Sequence, residues 1–233
     1  MQFCMMRYIN DLLHLFYPHN CEGCGSDILY DNQFLCARCQ HRLPETGFFL
    51  QPGNPVERLF YGRSPVLHAG AAYYFTKQSL LQHLLVQLKY RNNREAGYFL
   101  GRMMGQAFNH AERFSAIDAL VPLPLHPKKE QLRGYNQAAL ICEGISGVWQ
   151  KPVWKDAVTR LQFTETQTQQ NRISRWQNMD GVFSVTHPGQ LQNRHILLID
   201  DVITTGATLE ACGAAISGVE GARVSIGAAA YTL

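Results

Sequence analysis

The residues best equipped for chemistry stand together near the C-terminal end of the chain. Asp200 and Asp201 follow the apolar run Ile196 to Ile199, and Thr204, Thr205, Gly206, Ala207 and Thr208 come just beyond them. Four apolar residues bounded by polar ones are too few for a helix, so they predict a strand buried on both faces of a parallel sheet. The small, hydroxyl-rich turn then opens a helix whose apolar positions are Leu209, Cys212, Gly213 and Ile216, closed by Gly218. A helix start offers free backbone N–H groups and a positive dipole end, Gly206 lets the main chain approach a ligand, and the Thr hydroxyls add donors. That combination is a phosphate cradle. Two carboxylates at the carboxyl end of the strand can accept hydrogen bonds from sugar hydroxyls or hold Mg²⁺ through water. The expected ligand is a phosphorylated sugar.

A second group of reactive side chains lies near the N-terminus. Cys21 and Cys24 form one Cys-x-x-Cys pair, Cys36 and Cys39 another, with eleven residues between the pairs. Four thiolates make a closed tetrahedral Zn²⁺ site, structural because no coordination position stays open; an Fe–S cluster uses the same ligands. Seven cysteines, an odd number, suit a metal better than a disulfide frame. A module this small buries too little apolar surface to fold alone, so the metal would supply much of its folding free energy.

The elements that must position these groups follow from periodicity. Met1 to Asn20 reads as a short amphipathic helix rather than a signal peptide. Gly47 to Pro65, rich in Pro and Gly, predicts a linker, and Val66 to Thr76 a strand entering the main domain. Leu80, Leu81, Leu84, Leu85 and Leu88 line one face of a helix that Ser79 and Gln82 would cap; Phe99, Leu100, Met103, Met104, Ala107 and Phe108 mark a second helix. Between them Lys89, Tyr90, Arg91 and Arg94 make a basic turn, either a solvated helix end or a phosphate contact. A short strand, Ala119 to Val121, is stopped by Pro122 and Pro124, and Asn136 caps a helix burying Ala138, Ile141, Cys142 and Ile145. Val153 to Val158 predicts a second core strand, Arg160 to Asn178 a mobile polar loop leading into a weak helix, and Gly221 to Leu233 the last strand.

With 233 residues there is room for one sizeable domain and a small module. A formal net charge of +3 neither requires nor opposes a nucleic-acid partner. No apolar run is long enough to span a bilayer, which places the chain in the cytoplasm.

The segment from Ile196 to Thr208 resembles the phosphoribosyl diphosphate signature of type I phosphoribosyltransferases, in which two acidic residues precede a Thr/Gly-rich loop. In the purine-salvage branch an acidic residue in this loop acts as base; the matching position here is Thr204. More broadly, the four-Cys module, Val121-Pro122, the run Arg133 to Gln137, Arg160 with Thr164 and Gln167, Arg172, and the Asp200 to Thr208 loop are similar to the ComF family of late competence proteins. That resemblance implies a zinc module at 1–46, a linker at 47–65, and a type I phosphoribosyltransferase-like α/β domain at 66–233, with a mostly parallel sheet flanked by helices. It also implies DNA handling in natural transformation or DNA utilisation, with single-stranded DNA entering the cytoplasm. An active phosphoribosyltransferase in nucleotide salvage and a scaffold docking a partner ATPase are the alternatives. Binding of phosphoribosyl diphosphate falls to Asp200, Asp201, Thr204, Thr205, Gly206, Ala207 and Thr208, with Mg²⁺. Lys89, Arg91, Arg133, Arg160, Arg172 and Arg175 are the candidates for diphosphate or DNA phosphate, and Tyr90, Tyr135 and Trp176 for base stacking. The sequence names no catalytic base.

Overall fold

The computed structural model describes residues 20–27, 33–161 and 181–232. At its centre is strand β5, His195–Ile203, in which His195 to Ile199 are all buried. The sheet around it is parallel, in the order β1 (Val66–Phe75), β6 (Arg223–Thr232), β5, β2 (Ala119–Pro122). A strand with neighbours on both edges and helices on both faces must be apolar throughout, which is why Ile196 to Ile199 show no alternation.

One face is covered by α3 (Leu80–Tyr90), α4 (Arg94–Asn109) and α6 (Gln137–Trp149). Leu81, Leu84, Leu85 and Leu88 are buried as their spacing requires. Ser79 caps α3 by accepting the Gln82 N–H, while the Gln82 side chain reaches back to the Gln78 N–H, one residue earlier than a full capping box would have it. Helices α4 and α6 touch backbone to backbone: a Cβ on Gly101 would sit 2.2 Å from the Ile141 carbonyl oxygen. The opposite face carries α2 (Pro55–Arg58) and α8 (Ala207–Ser217), whose Leu209, Cys212, Gly213 and Ile216 are buried and whose end is Gly218. The remaining short helices are α1 (Ala37–Gln40), α5 (Pro127–Arg133) and α7 (Pro188–Leu191).

Two expectations change in the folded chain. Val153 to Val158 is not a core strand: Val153 makes a single parallel bridge to Leu120, and the chain then leaves the sheet. Val158–Arg160 (β3) instead pairs antiparallel with Phe183–Val185 (β4) in a separate two-stranded sheet. The polar pair Lys155 and Asp156 interrupts the apolar run there, and neither could continue a strand buried on both faces. Residues 47–65 are a packed connection. Phe48, Phe49, Val56 and Phe60 are buried, and the Asn54 carboxamide donates to the carbonyls of Phe48, Gln51 and Ala69 while accepting from the Val56 and Glu57 N–H groups. Pro and Gly report turns; the apolar residues between them decide burial. Just upstream, the chain joins the outer edge of β1, with Thr46 N–H donating to Ala72 and Tyr74 N–H to Pro44. The expected N-terminal helix and the polar stretch 162–180 lie outside the described residues, apart from Asn20 at the end of the first.

Candidate functional site

The site is made by unequal strand lengths. β2 ends at Pro122, opposite Ile199, whose carbonyl accepts a last hydrogen bond from the Leu123 N–H. β5 runs on against β6 as far as Ile203, opposite Tyr231. Asp200 and Asp201 therefore lie inside the strand rather than after it, on the stretch β2 no longer covers. This is the carboxyl end of the strands, where ligands of open α/β sheets bind.

Successive residues of a strand point to opposite faces, so the two carboxylates diverge. Asp201, buried, faces α3, where Lys89 Nζ sits 3.0 Å from its Oδ2. Asp200 faces the α8 side and keeps partial exposure; its Oδ1 accepts the Asp201 N–H at 2.7 Å. Desolvation at the sheet end, with the charge of Asp201 added, raises the Asp200 carboxyl from 3.8 to about 7, although Lys89 and that N–H pull the other way. Beyond them Gly206 holds φ +75°, a left-handed conformation that glycine adopts without penalty, and α8 starts directly afterwards. A Cβ here would also lie 3.0 Å from the Phe60 ring. Thr204, Thr205 and Thr208 are exposed, and with Asp200 they help to enclose a hollow of about 40 Å³ at the start of the helix. The Thr205 hydroxyl is bonded to the Ala207 N–H at 3.4 Å.

A larger crevice of about 440 Å³ lies past the end of β2, between the starts of α4 and α6 and the stretch 155–160. Its hub is Glu143, which pairs with Lys155 and is bonded to the Tyr98 hydroxyl. Burial works against the Glu143 carboxylate, yet those hydrogen bonds and the charges of Lys155 and Arg94 hold it below its ordinary range. The sequence reading missed Arg94, Tyr98, Glu143 and Lys155 as a group. Glu143 carried a signal, being the one charge in an otherwise uncharged helix.

Of the predicted phosphate contacts, Lys89 is paired with Asp201, and Arg91 is exposed at the end of α3. Arg133 donates to Gln137 Oε1 at 2.6 Å and lies over the Tyr90 ring. Arg160 lines the crevice and covers Phe183. Arg172, Arg175 and Trp176 lie outside the described residues.

At the other end of the chain, the sulfurs of Cys21, Cys24, Cys36 and Cys39 all lie within 4.8 Å of one another, and those of Cys24 and Cys36 are 3.8 Å apart. Tetrahedral zinc with bonds of about 2.3 Å would put its sulfurs about 3.8 Å apart, so the cluster can hold a metal such as zinc. Its knuckles are built for thiolate. The Gly23 and Cys36 N–H groups donate to Cys21 Sγ at 3.4 and 3.2 Å, and Gly25 turns at φ +70°. Burial opposes the Cys21 thiolate, but backbone donors outweigh it and bring its pKa to about 6. Cys39, desolvated and hydrogen-bonded to the other sulfurs, is pushed up to about 12. A thiolate at Cys21 thus disfavours a second one at Cys39, and a bound cation would remove that repulsion.

The chain is 30% identical over 193 residues to the DNA utilization protein YhgH of Escherichia coli O157:H7, an overlap spanning 81% of this chain and 74% of the relative. Competence protein F of Haemophilus influenzae is 26% identical, covering 83% and 89%, and competence protein ComFC of Bacillus subtilis is 28% identical, covering 81% and 74%. The chain belongs to the ComF family. No protein-family model matches it. Among solved structures, the glutamine phosphoribosylpyrophosphate amidotransferase from B. subtilis aligns with 58% of this chain and 26% of its own, at 16% identity and a TM-score of 0.43. The fold class expected for a ComF chain, a parallel sheet between helices with a four-Cys cluster near the N-terminus, is the one found. Among the described residues no helix is long and apolar enough to cross a membrane.

Proposed function

We propose that this chain handles DNA in natural transformation or DNA utilisation, acting in the cytoplasm on single-stranded DNA through a pocket of the phosphoribosyl diphosphate type. The observation that carries the reading is the overlap of DNA-utilisation and competence relatives with most of the chain, combined with the uncovered end of β5. In this reading the module at 1–46 holds structural Zn²⁺ through Cys21, Cys24, Cys36 and Cys39, residues 47–65 connect it, and the domain at 66–233 carries the pocket. Asp200, on the side of the Thr204 to Thr208 turn, would accept a ribose hydroxyl and Thr204 to Thr208 would receive the 5-phosphate, while Asp201, on the α3 face, would complete the acidic pair that could hold Mg²⁺. Because Lys89 already balances Asp201, the diphosphate or the strand's phosphates fall to Arg91, Arg133 and Arg160 among the described cations, with Arg172 and Arg175 beside them in the chain.

The crevice of about 440 Å³ beside the site favours a second reading, an active phosphoribosyltransferase. A nucleobase seated there would take the ribosyl carbon, and diphosphate would leave with the bonding electrons. A scaffold role toward a partner ATPase of the uptake machinery has no structural observation behind it. Calorimetry with phosphoribosyl diphosphate and Mg²⁺, repeated with a single-stranded oligonucleotide in competition, tests the proposal. Competition puts sugar phosphate and DNA phosphate in one cradle and supports the DNA reading. Diphosphate binding untouched by DNA supports the enzyme, and no diphosphate binding removes the pocket from both.

A further inference from the structure

Next to the pocket, but outside it, one surface has no explanation in the packing among the described residues. Tyr90, the last residue of α3, is 70% exposed, and Leu132 in α5 is 87% exposed. α5 buries none of its residues. Leaving a tyrosine ring and a leucine side chain in water forgoes apolar burial that neighbouring helices obtain. The surroundings are cationic: Arg91, Lys128 and Lys129 are exposed, and the Arg133 guanidinium lies over the Tyr90 ring with Cζ 5.5 Å from its centroid. Glu130 is the acidic residue of α5.

This surface differs from the other aromatic–arginine pair of the region. Tyr135 also has a guanidinium over its ring, Arg94 at 5.0 Å, but it is buried, and its hydroxyl donates to the Leu88 carbonyl. That pair is packing. Tyr90 has one face against Arg133 and its remaining surface in solvent, which is the arrangement that stacks a flat ring.

We infer that Tyr90, backed by Arg133 and flanked by Leu132, is the base-stacking platform of a single-stranded DNA path across the ends of α3 and α5. Arg91, Lys128 and Lys129 supply its phosphate contacts. The inference rests on the DNA reading proposed above and places the strand on it. Charge complementarity selects a polyanion, and an exposed ring selects one whose bases are unpaired, since duplex stacking hides the base faces. The platform lies at the end of the same helix that borders the site, since Lys89, the residue before Tyr90, contacts Asp201.

The test is fluorescence anisotropy of a labelled single-stranded oligothymidylate with the whole zinc-loaded chain. Tyr90→Ala is expected to weaken binding about tenfold at fixed salt, the loss of one stacked base, while Tyr90→Phe binds like the parent. Leu132→Glu, at a position too exposed to matter for folding, is expected to weaken binding by charge repulsion. Calorimetry of Tyr90→Ala with phosphoribosyl diphosphate and Mg²⁺ should match the parent. If the parent binds no single strand, the DNA reading falls and takes the platform with it. If the parent binds and Tyr90→Ala binds equally well, the platform alone is wrong. Tighter binding of oligouridylate than of oligothymidylate would overturn the assignment to DNA.

Discussion

Replacing Asp200 by Asn isolates the electrostatic cost of the candidate site. The variant keeps an oxygen to accept the Asp201 N–H, and it never ionises. In the parent the folded chain holds this carboxyl at about 7 against an ordinary 3.8, so the fold favours the protonated form. The stability gained from that preference is complete below about pH 4 and disappears as the pH rises through about 7. At about 1.4 kcal/mol per pH unit, the rise corresponds to about 4 kcal/mol, an upper bound because Lys89 and solvent relaxation soften it. Asp200→Asn should therefore match the parent within about 1 kcal/mol at pH 4.5 and exceed it by about 2–4 kcal/mol at pH 8.5. Urea unfolding of both proteins at each pH measures the gap directly. Comparing them at the same pH cancels proton competition at the cysteine cluster. A gap that stays constant across the range would refute the reasoning, since only a titrating group can make it grow. The variant should also lose phosphoribosyl diphosphate binding while becoming more stable, a trade-off expected of binding sites.

Two further variants probe other parts of the fold. Cys21→Ser with Cys24→Ser should release the metal, measured by atomic absorption, and lower Tm by about 10 °C or more; unchanged metal content would exclude the four-sulfur site. Asn54→Ala removes a helix cap and the side-chain donor to the Gln51 and Ala69 carbonyls, at a cost of about 2–4 kcal/mol in denaturant unfolding, whereas a loose connection at 47–65 would lose almost nothing.

Much of this fold is legible wherever one residue's chemistry has one outcome. The two Cys-x-x-Cys pairs, the leucine face of α3, the Asn136 cap and the buried strand before the aspartates follow from local pattern, and they form as that pattern requires. Asn136 does more than cap: its side-chain N–H also donates to the Leu123 carbonyl, tying α6 to the loop after β2. Non-local pairing was not legible. That Lys89 would neutralise Asp201 depends on α3 crossing the end of β5, and nothing within either segment states it. The same is true of Val153, which has β-branched character but a partner for only one residue before Lys155 and Asp156. The crevice around Glu143 assembles from three stretches, none of which carries a motif alone.

The seam at Pro44 to Thr46 has a consequence for handling the protein. Among the described residues β1 is the last strand on its side of the sheet, and its outer edge near Ala72 to Tyr74 is paired only by the chain leaving the cysteine module. An uncovered edge strand invites pairing with another molecule. The module thus acts as an edge guard. Stripping the metal is expected to be felt first as self-association, read as a rise in light scattering on adding a chelator, while the central strands are still folded.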